Sequence, residues 1–81
     1  MLIQSQNKID TYKFWGNIRS RETEEKYQIE IHTRETGWVC VGEYTNKAQV
    51  KGICNEIVQS YINEDKEKQR KDIYYCPTDI A

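Results

Sequence analysis

The chain has no CxxC pair, no glycine-rich loop, no long apolar run and almost no net charge, and each lack removes a class of function. Its three cysteines, Cys40, Cys54 and Cys76, are odd in number and widely spaced. That argues against a disulfide framework and against a zinc site, and it suits a reducing cytosol. The glycines Gly16, Gly37, Gly42 and Gly52 are isolated, so there is no loop to cradle a phosphate. After Met1-Leu2-Ile3 the sequence turns polar. It therefore offers neither the apolar core of a signal peptide nor the run of about 18 apolar residues that a membrane span needs, and neither secretion nor a membrane is expected. Lys and Arg number 12 against 13 Asp and Glu, for a net charge of −1. A chain so balanced has no long-range attraction for a phosphate backbone, which disfavours generic nucleic-acid binding.

What remains is enough for one small domain, residues 1–81, with a thin core and little stability to spare. Apolar residues make up 37% and charged residues 31%, a composition that folds without an extensive interior. The charge is uneven. Residues 1–21 carry Lys8, Lys13, Arg19 and Arg21 against Asp10, whereas residues 22–30 carry Glu22, Glu24, Glu25 and Glu30 against Lys26. A local anion site near Arg19 and Arg21 is compatible with that division.

One segment has a helical period. Val50, Ile53, Cys54, Ile57, Val58, Tyr61 and Ile62 recur at offsets of three, four and seven, which places them on one helix face. Thr45 or Asn46 can cap its first turn, with Gln49 at capping-box spacing from Asn46. Gly52 inside the helix costs about 1 kcal/mol relative to Ala, so it marks either a close backbone approach or a tolerated position. Residues 63–72 are continuously polar and of mixed charge, and read as a solvated helix extension or connector.

Upstream the period is two. Tyr27, Ile29 and Ile31 alternate with Gln28, Glu30 and His32, and Trp38-Val39-Cys40-Val41 follows a turn over Arg34-Glu35-Thr36-Gly37, so the two runs form a hairpin. Tyr12-Lys13-Phe14-Trp15 and Ile18 form another β-prone stretch, broken by Gly16-Asn17 at a bulge or bend. Leu2 to Gln6 is a short first strand, and Ile73 to Cys76 a last one ended by Pro77. The order ββββαβ predicts an α+β fold: a small, mostly antiparallel sheet with one long helix packed on one face. The other face, with two Trp, six Tyr and one Phe to distribute, is expected to be covered by a second copy or used for binding.

Three stretches taken together, Met1-Leu2-Ile3-Gln4-Ser5-Gln6, Val41-Gly42-Glu43-Tyr44-Thr45 before the helix, and Ile73-Tyr74-Tyr75-Cys76-Pro77, resemble short uncharacterised proteins of low-GC Gram-positive bacteria and their prophages. That group typically has a leucine before the glycine, a small residue near mid-helix and a methionine before the final proline. This chain has Val41, Gly52 and Cys76 there. The resemblance implies a phage or mobile-element origin, a small accessory protein and a place in the cytoplasm of a bacterial host. It carries no assigned activity.

No constellation of residues points to catalysis. His32, the single histidine, lies on the polar face of a strand with Glu30, without a nucleophile at a spacing that would make it a general base. Cys40 and Cys54 fall on apolar faces, where a free thiol packs as a small hydrophobe. Cys76 has no neighbouring cation to activate it. The richest stretch runs from Tyr12 to Arg21, where Phe14 and Trp15 precede Arg19 and Arg21. Aromatic platforms beside guanidinium forks suit a small anionic, nucleotide-like ligand. The plainer reading puts Phe14 and Trp15 in the core or a dimer interface and pairs the arginines with Glu22, Glu24 and Glu25. Trp38 after the turn is either a core anchor or an exposed binding aromatic. Candidate ligand- or partner-binding residues are thus Trp15, Arg19, Arg21, Arg34 and Trp38, with no catalytic or metal site and no cofactor.

The expectation is a non-catalytic binding protein that inhibits a host defence process, by occupying a host protein surface or by sequestering a nucleotide-like signal. A structural or assembly accessory acting only through homo-oligomerisation, a dimer above all, is the alternative. A nucleotide-acting enzyme is the weakest reading.

Overall fold

The computed structural model describes residues 1–63 and 73–79 of the chain. Its elements are β1 (Leu2–Gln4), β2 (Thr11–Lys13), β3 (Ile18–Glu22), β4 (Tyr27–Thr33), β5 (Gly37–Tyr44), α1 (Lys47–Ile62) and β6 (Ile73–Tyr75). The fold is α+β and mostly antiparallel, with the helix packed on strands β3, β4 and β5. The strands form two three-stranded sheets, β2-β1-β6 and β3-β4-β5, rather than one sheet. The stretch expected as one bent strand through residues 12–18 is two strands, one in each sheet. Gly16 explains the division. Its φ of +105°, which side chains rarely adopt, turns the chain from one sheet to the other, and the Tyr61 ring lies a tight 3.3 Å from where a Cβ would stand.

In the first sheet β1 is central, antiparallel to β2 and parallel to β6. A parallel pair needs a long crossover, and here everything from β2 to α1 provides it. In the second sheet Ile29 and Ile31 on β4 face the helix and are fully buried. Gln28, Glu30 and His32 face outward by strand alternation. The register slips once, between Ile29, which pairs with Gly42, and Glu30, which pairs with Cys40. Val41 is the extra residue of this β-bulge, so Val41 and Gly42 both face inward and Cys40 stays outward. Cys40 is therefore exposed on the polar face, not on an apolar face as its neighbours suggested.

Tyr44 ends β5 fully buried, and its hydroxyl donates to the Pro77 carbonyl at 2.7 Å. Its ring lies over Gly42, where a Cβ would come within 2.6 Å of it, so only glycine fits beneath it. The chain after β6 is held further by Thr45, whose N–H and hydroxyl both donate to Asp79, and by Gln49 Nε2, which donates to the Thr78 carbonyl at 2.9 Å. The two sheets are joined at Gln6. Its N–H donates to Val41 O at 2.7 Å, and its side-chain amide exchanges two hydrogen bonds with the Glu43 backbone at 2.9 and 3.0 Å. Gln6 thereby continues the β5 ladder with a side chain in place of a strand.

Asn46 is the helix N-cap, accepting from Gln49 N–H at 3.0 Å. Val50, Ile53 and Ile57 are buried and Cys54 and Tyr61 pack at the margin, as the spacing requires. Ile62, in the last position of α1, is 56% exposed and lies off that face. Phe14 meets the Tyr61 ring edge-on at 5.0 Å and is itself buried. Asn63 is the C-cap of α1; the charged extension or connector expected at 63–72 otherwise lies outside the described residues. No helix among the described residues is long and apolar enough to cross a membrane.

Two substitutions on one helix should move stability in opposite directions. Ile57→Ala removes fully buried methyl and methylene groups and should cost about 2–5 kcal/mol. A Cβ at Gly52 meets nothing within 4 Å, so no close approach explains that glycine, and Gly52→Ala should add about 0.5–1 kcal/mol. Urea denaturation of both variants checks the pair, and a loss on Gly52→Ala would mean that the helix is packed differently.

Candidate binding surface

Among the described residues no helix covers the outward side of β3-β4-β5, which presents an ordered polar and aromatic face. Its registers place Arg19 opposite Glu30, Glu30 opposite Cys40, and His32 opposite Trp38. Residues directly opposite on one face are within reach of each other. Arg19 Nε donates to Glu30 Oε1 at 2.8 Å, and Arg21 Nη1 lies 4.0 Å from Glu30 Oε2. The Arg19 guanidinium also lies over the Trp38 ring, 4.1 Å from its centre, and His32 meets that ring edge-on at 5.4 Å. Further along, Gln28 Nε2 donates to Glu43 at 2.7 Å, and Lys26 is 3.8 Å from the same carboxylate.

This geometry corrects the expected pairing of the arginines. Their partner is Glu30, across the strands, and not Glu22, Glu24 or Glu25, which are all exposed. Only the β3/β4 register brings Arg19 and Glu30 together, and nothing in the local sequence signals it. Glu30 is 8% exposed although it sits on the outward face, because the arginines and neighbouring side chains cover it. His32 is half-buried, not a free surface residue, because it packs against Trp38. Trp38 itself is 39% exposed and belongs to the outward face rather than to the core.

Trp15 and Arg34 meet elsewhere. Trp15 lies in the link between β2 and β3, and Arg34 in the turn between β4 and β5. The Arg34 Cζ is 3.7 Å from the Trp15 ring centre, and Lys13 Nζ from β2 is 4.6 Å from it. The five candidate residues therefore form two groups, Arg19, Arg21 and Trp38 on the open sheet face, and Trp15 with Arg34 at the seam between the sheets. Sequence reasoning missed Glu30, His32 and Lys13. Alternation already put Glu30 and His32 on one polar face, and Lys13 stands two residues before Trp15, on the same side of an extended chain.

The thiols are not poised to react as nucleophiles. Burial pushes the Cys76 pKa up to about 12, and burial also raises those of Cys54 and Cys40. Burial likewise raises the Tyr74 hydroxyl, aided by its 2.5 Å hydrogen bond to Glu56. Among the described residues no three His, Cys, Asp or Glu side chains group as metal ligands. Beside Cys40 lies an open hollow of about 130 Å³, lined by Ser5, Gln6, Asn7 and β5. It is well below the roughly 300–1,000 Å³ of small-molecule pockets. Comparison with protein-family models, with curated proteins and with solved structures finds no match.

The Arg19–Glu30 pair is intermediate in kind, with the Glu30 side chain 10% exposed and the Arg19 side chain 44%. Exposed pairs contribute about 0–1 kcal/mol, whereas breaking a fully buried one costs about 3–5. A double-mutant cycle on Arg19→Ala and Glu30→Gln should therefore give a coupling of about 1–2 kcal/mol, together with a shift in Trp38 emission as the guanidinium leaves its ring. Zero coupling in chemical denaturation would mean that Glu30 does not hold Arg19.

Proposed function

We propose that this chain is a non-catalytic binding protein of phage or mobile-element type, which inhibits a host defence process by covering the surface of a host protein with the open face of β3-β4-β5. The observation that carries this reading is the state of Trp38. It is part-exposed on the edge strand β5, one residue after the β4–β5 turn, on a sheet face that no described helix covers, with Arg19 stacked on its ring and His32 against its edge. Trp and Arg are the residues most enriched where interfaces concentrate their affinity. Here the aromatic and its cation are already ordered, so little side-chain freedom remains to be lost on docking. Arg21, whose side chain is 64% exposed, adds positive charge on the same face, so the complementary surface is apolar where it meets Trp38 and acidic beside it. The biological setting rests on the resemblance of the opening, central and closing stretches to prophage proteins. An enzymatic reading draws no support from the thiols, which burial keeps protonated at neutral pH.

Expression of the chain in a low-GC Gram-positive host that restricts a phage tests this. The wild-type chain should restore plaquing. Trp38→Ala should abolish the effect with an unchanged Tm, because truncating a tryptophan at the centre of an interface costs about 2 kcal/mol of binding or more. Full activity in both Trp38→Ala and Arg21→Ala would reject this face.

A second reading, homodimerisation, has its own observation. On the outward side of β2-β1-β6, Leu2 is 38% and Tyr75 60% exposed, and Ile73 lies opposite Leu2. A copy of the same sheet related by a two-fold axis would cover these residues. Light scattering at micromolar concentration should then give twice the chain mass, and a value near 9.7 kDa rejects it.

A further inference from the structure

From β2 to β5 the basic side chains are of two kinds. Arg19 and Arg21 meet Glu30, and Lys26 meets Glu43. Lys13 and Arg34 have no carboxylate partner among the described residues. Both lie against the indole of Trp15, with Arg34 Cζ 3.7 Å and Lys13 Nζ 4.6 Å from its ring centre. They reach it from β2 and from the β4–β5 turn, which are in different sheets. The negative face of an indole attracts each cation, yet two like charges gathered at one ring repel each other. Trp15 has an unmet need of its own, because its Nε1 is buried and donates to no acceptor among the described residues. Buried donors are nearly always satisfied.

We propose that Lys13, Trp15 and Arg34 form a site for the phosphoryl group of a small anionic ligand, at the seam between the two sheets. A phosphoryl dianion neutralises both cations, whereas a carboxylate neutralises only one. Its oxygens accept from the Arg34 guanidinium fork and the Lys13 ammonium, and the Trp15 Nε1–H, closed to solvent as the side chains stand, becomes a third donor only once Lys13 or Arg34 moves onto the ligand. The site goes beyond the sheet-face reading and stands without it. It also moves the anion site away from Arg19 and Arg21, which share the Glu30 carboxylate.

Trp38→Phe leaves Trp15 as the sole tryptophan, so its emission reports this site alone. Titration of inorganic pyrophosphate at low ionic strength should give a saturable change that added salt reverses, and calorimetry on the wild-type chain should give the same one-site affinity. Arg34→Ala and Lys13→Ala, with melting curves checked, should each weaken binding about tenfold or more, the effect of losing one charge-assisted bond. Lys13→Met serves if the alanine variant melts low. Arg21→Ala should weaken binding by no more than about threefold, since at low salt its charge still acts over a Debye length of about 30 Å but it makes no contact with Lys13, Trp15 or Arg34. Acetate should give no saturable response. The proposal is overturned if neither emission nor heat saturates, if Arg21→Ala weakens binding as much as Arg34→Ala does, or if acetate binds as well as pyrophosphate.

Discussion

The extra residue at Val41 decides which way each side chain of β5 faces, and most of the remaining structure depends on that choice. Strand alternation has a period of two, so an uninterrupted β5 that kept Trp38 and Cys40 outward would also turn Gly42 and Tyr44 outward. The bulge lets Val41 and Gly42 face inward in succession. Tyr44 then enters the core over Gly42 and reaches the Pro77 carbonyl. The Val41 carbonyl, displaced at the bulge, accepts the Gln6 N–H that ties the first sheet to the second. A single inserted residue thus sets the packing of the largest buried side chain, the path of the chain after β6 and the junction of the two sheets.

Elements with a strong local signal were legible in the sequence. The helix showed in the spacing of Val50, Ile53 and Ile57 and in the Asn46 cap, and the β4–β5 hairpin showed in the alternation of Tyr27, Ile29 and Ile31 and in the turn at Gly37. What depended on long-range pairing was not legible. Division into two sheets follows from a positive φ at Gly16 and from the Tyr61 ring beside it, and a Gly-Asn pair does not distinguish a bulge within a strand from a change of sheet. Cys40 was misplaced because Trp38-Val39-Cys40-Val41 is apolar throughout, so alternation gave no clue to the bulge. Of the candidate site, the residue types Trp, Arg and Trp were readable, but their grouping was not. Arg19 and Glu30 are eleven residues apart, and Trp15 and Arg34 nineteen; only strand register and sheet packing bring such residues together.

A chain of this size has too little apolar surface to hold two sheets and a helix by burial alone. Polar links between remote segments do part of that work. Gln6 bridges to Glu43, Thr45 and Gln49 hold the segment after β6, and Tyr44 bonds Pro77. Each joins residues at least 29 positions apart. Such bonds contribute about 0.5–1.5 kcal/mol each, and more is lost when one partner is left buried alone. They therefore specify one arrangement of thin layers more than they raise its stability.

Glu30 shows the same economy applied to a surface. Moving a carboxylate to a position 8% exposed costs desolvation, which an exposed ion pair does not recover. The outward face would be cheaper to build with a neutral residue there. What Glu30 does is fix Arg19, and Arg19 in turn lies over Trp38, so an aromatic and a guanidinium group that would otherwise sample many rotamers are held together. Ordering side chains in advance lowers the entropy lost on association. Under the proposed reading of this face, the cost borne in the folded state is returned only on contact with a partner.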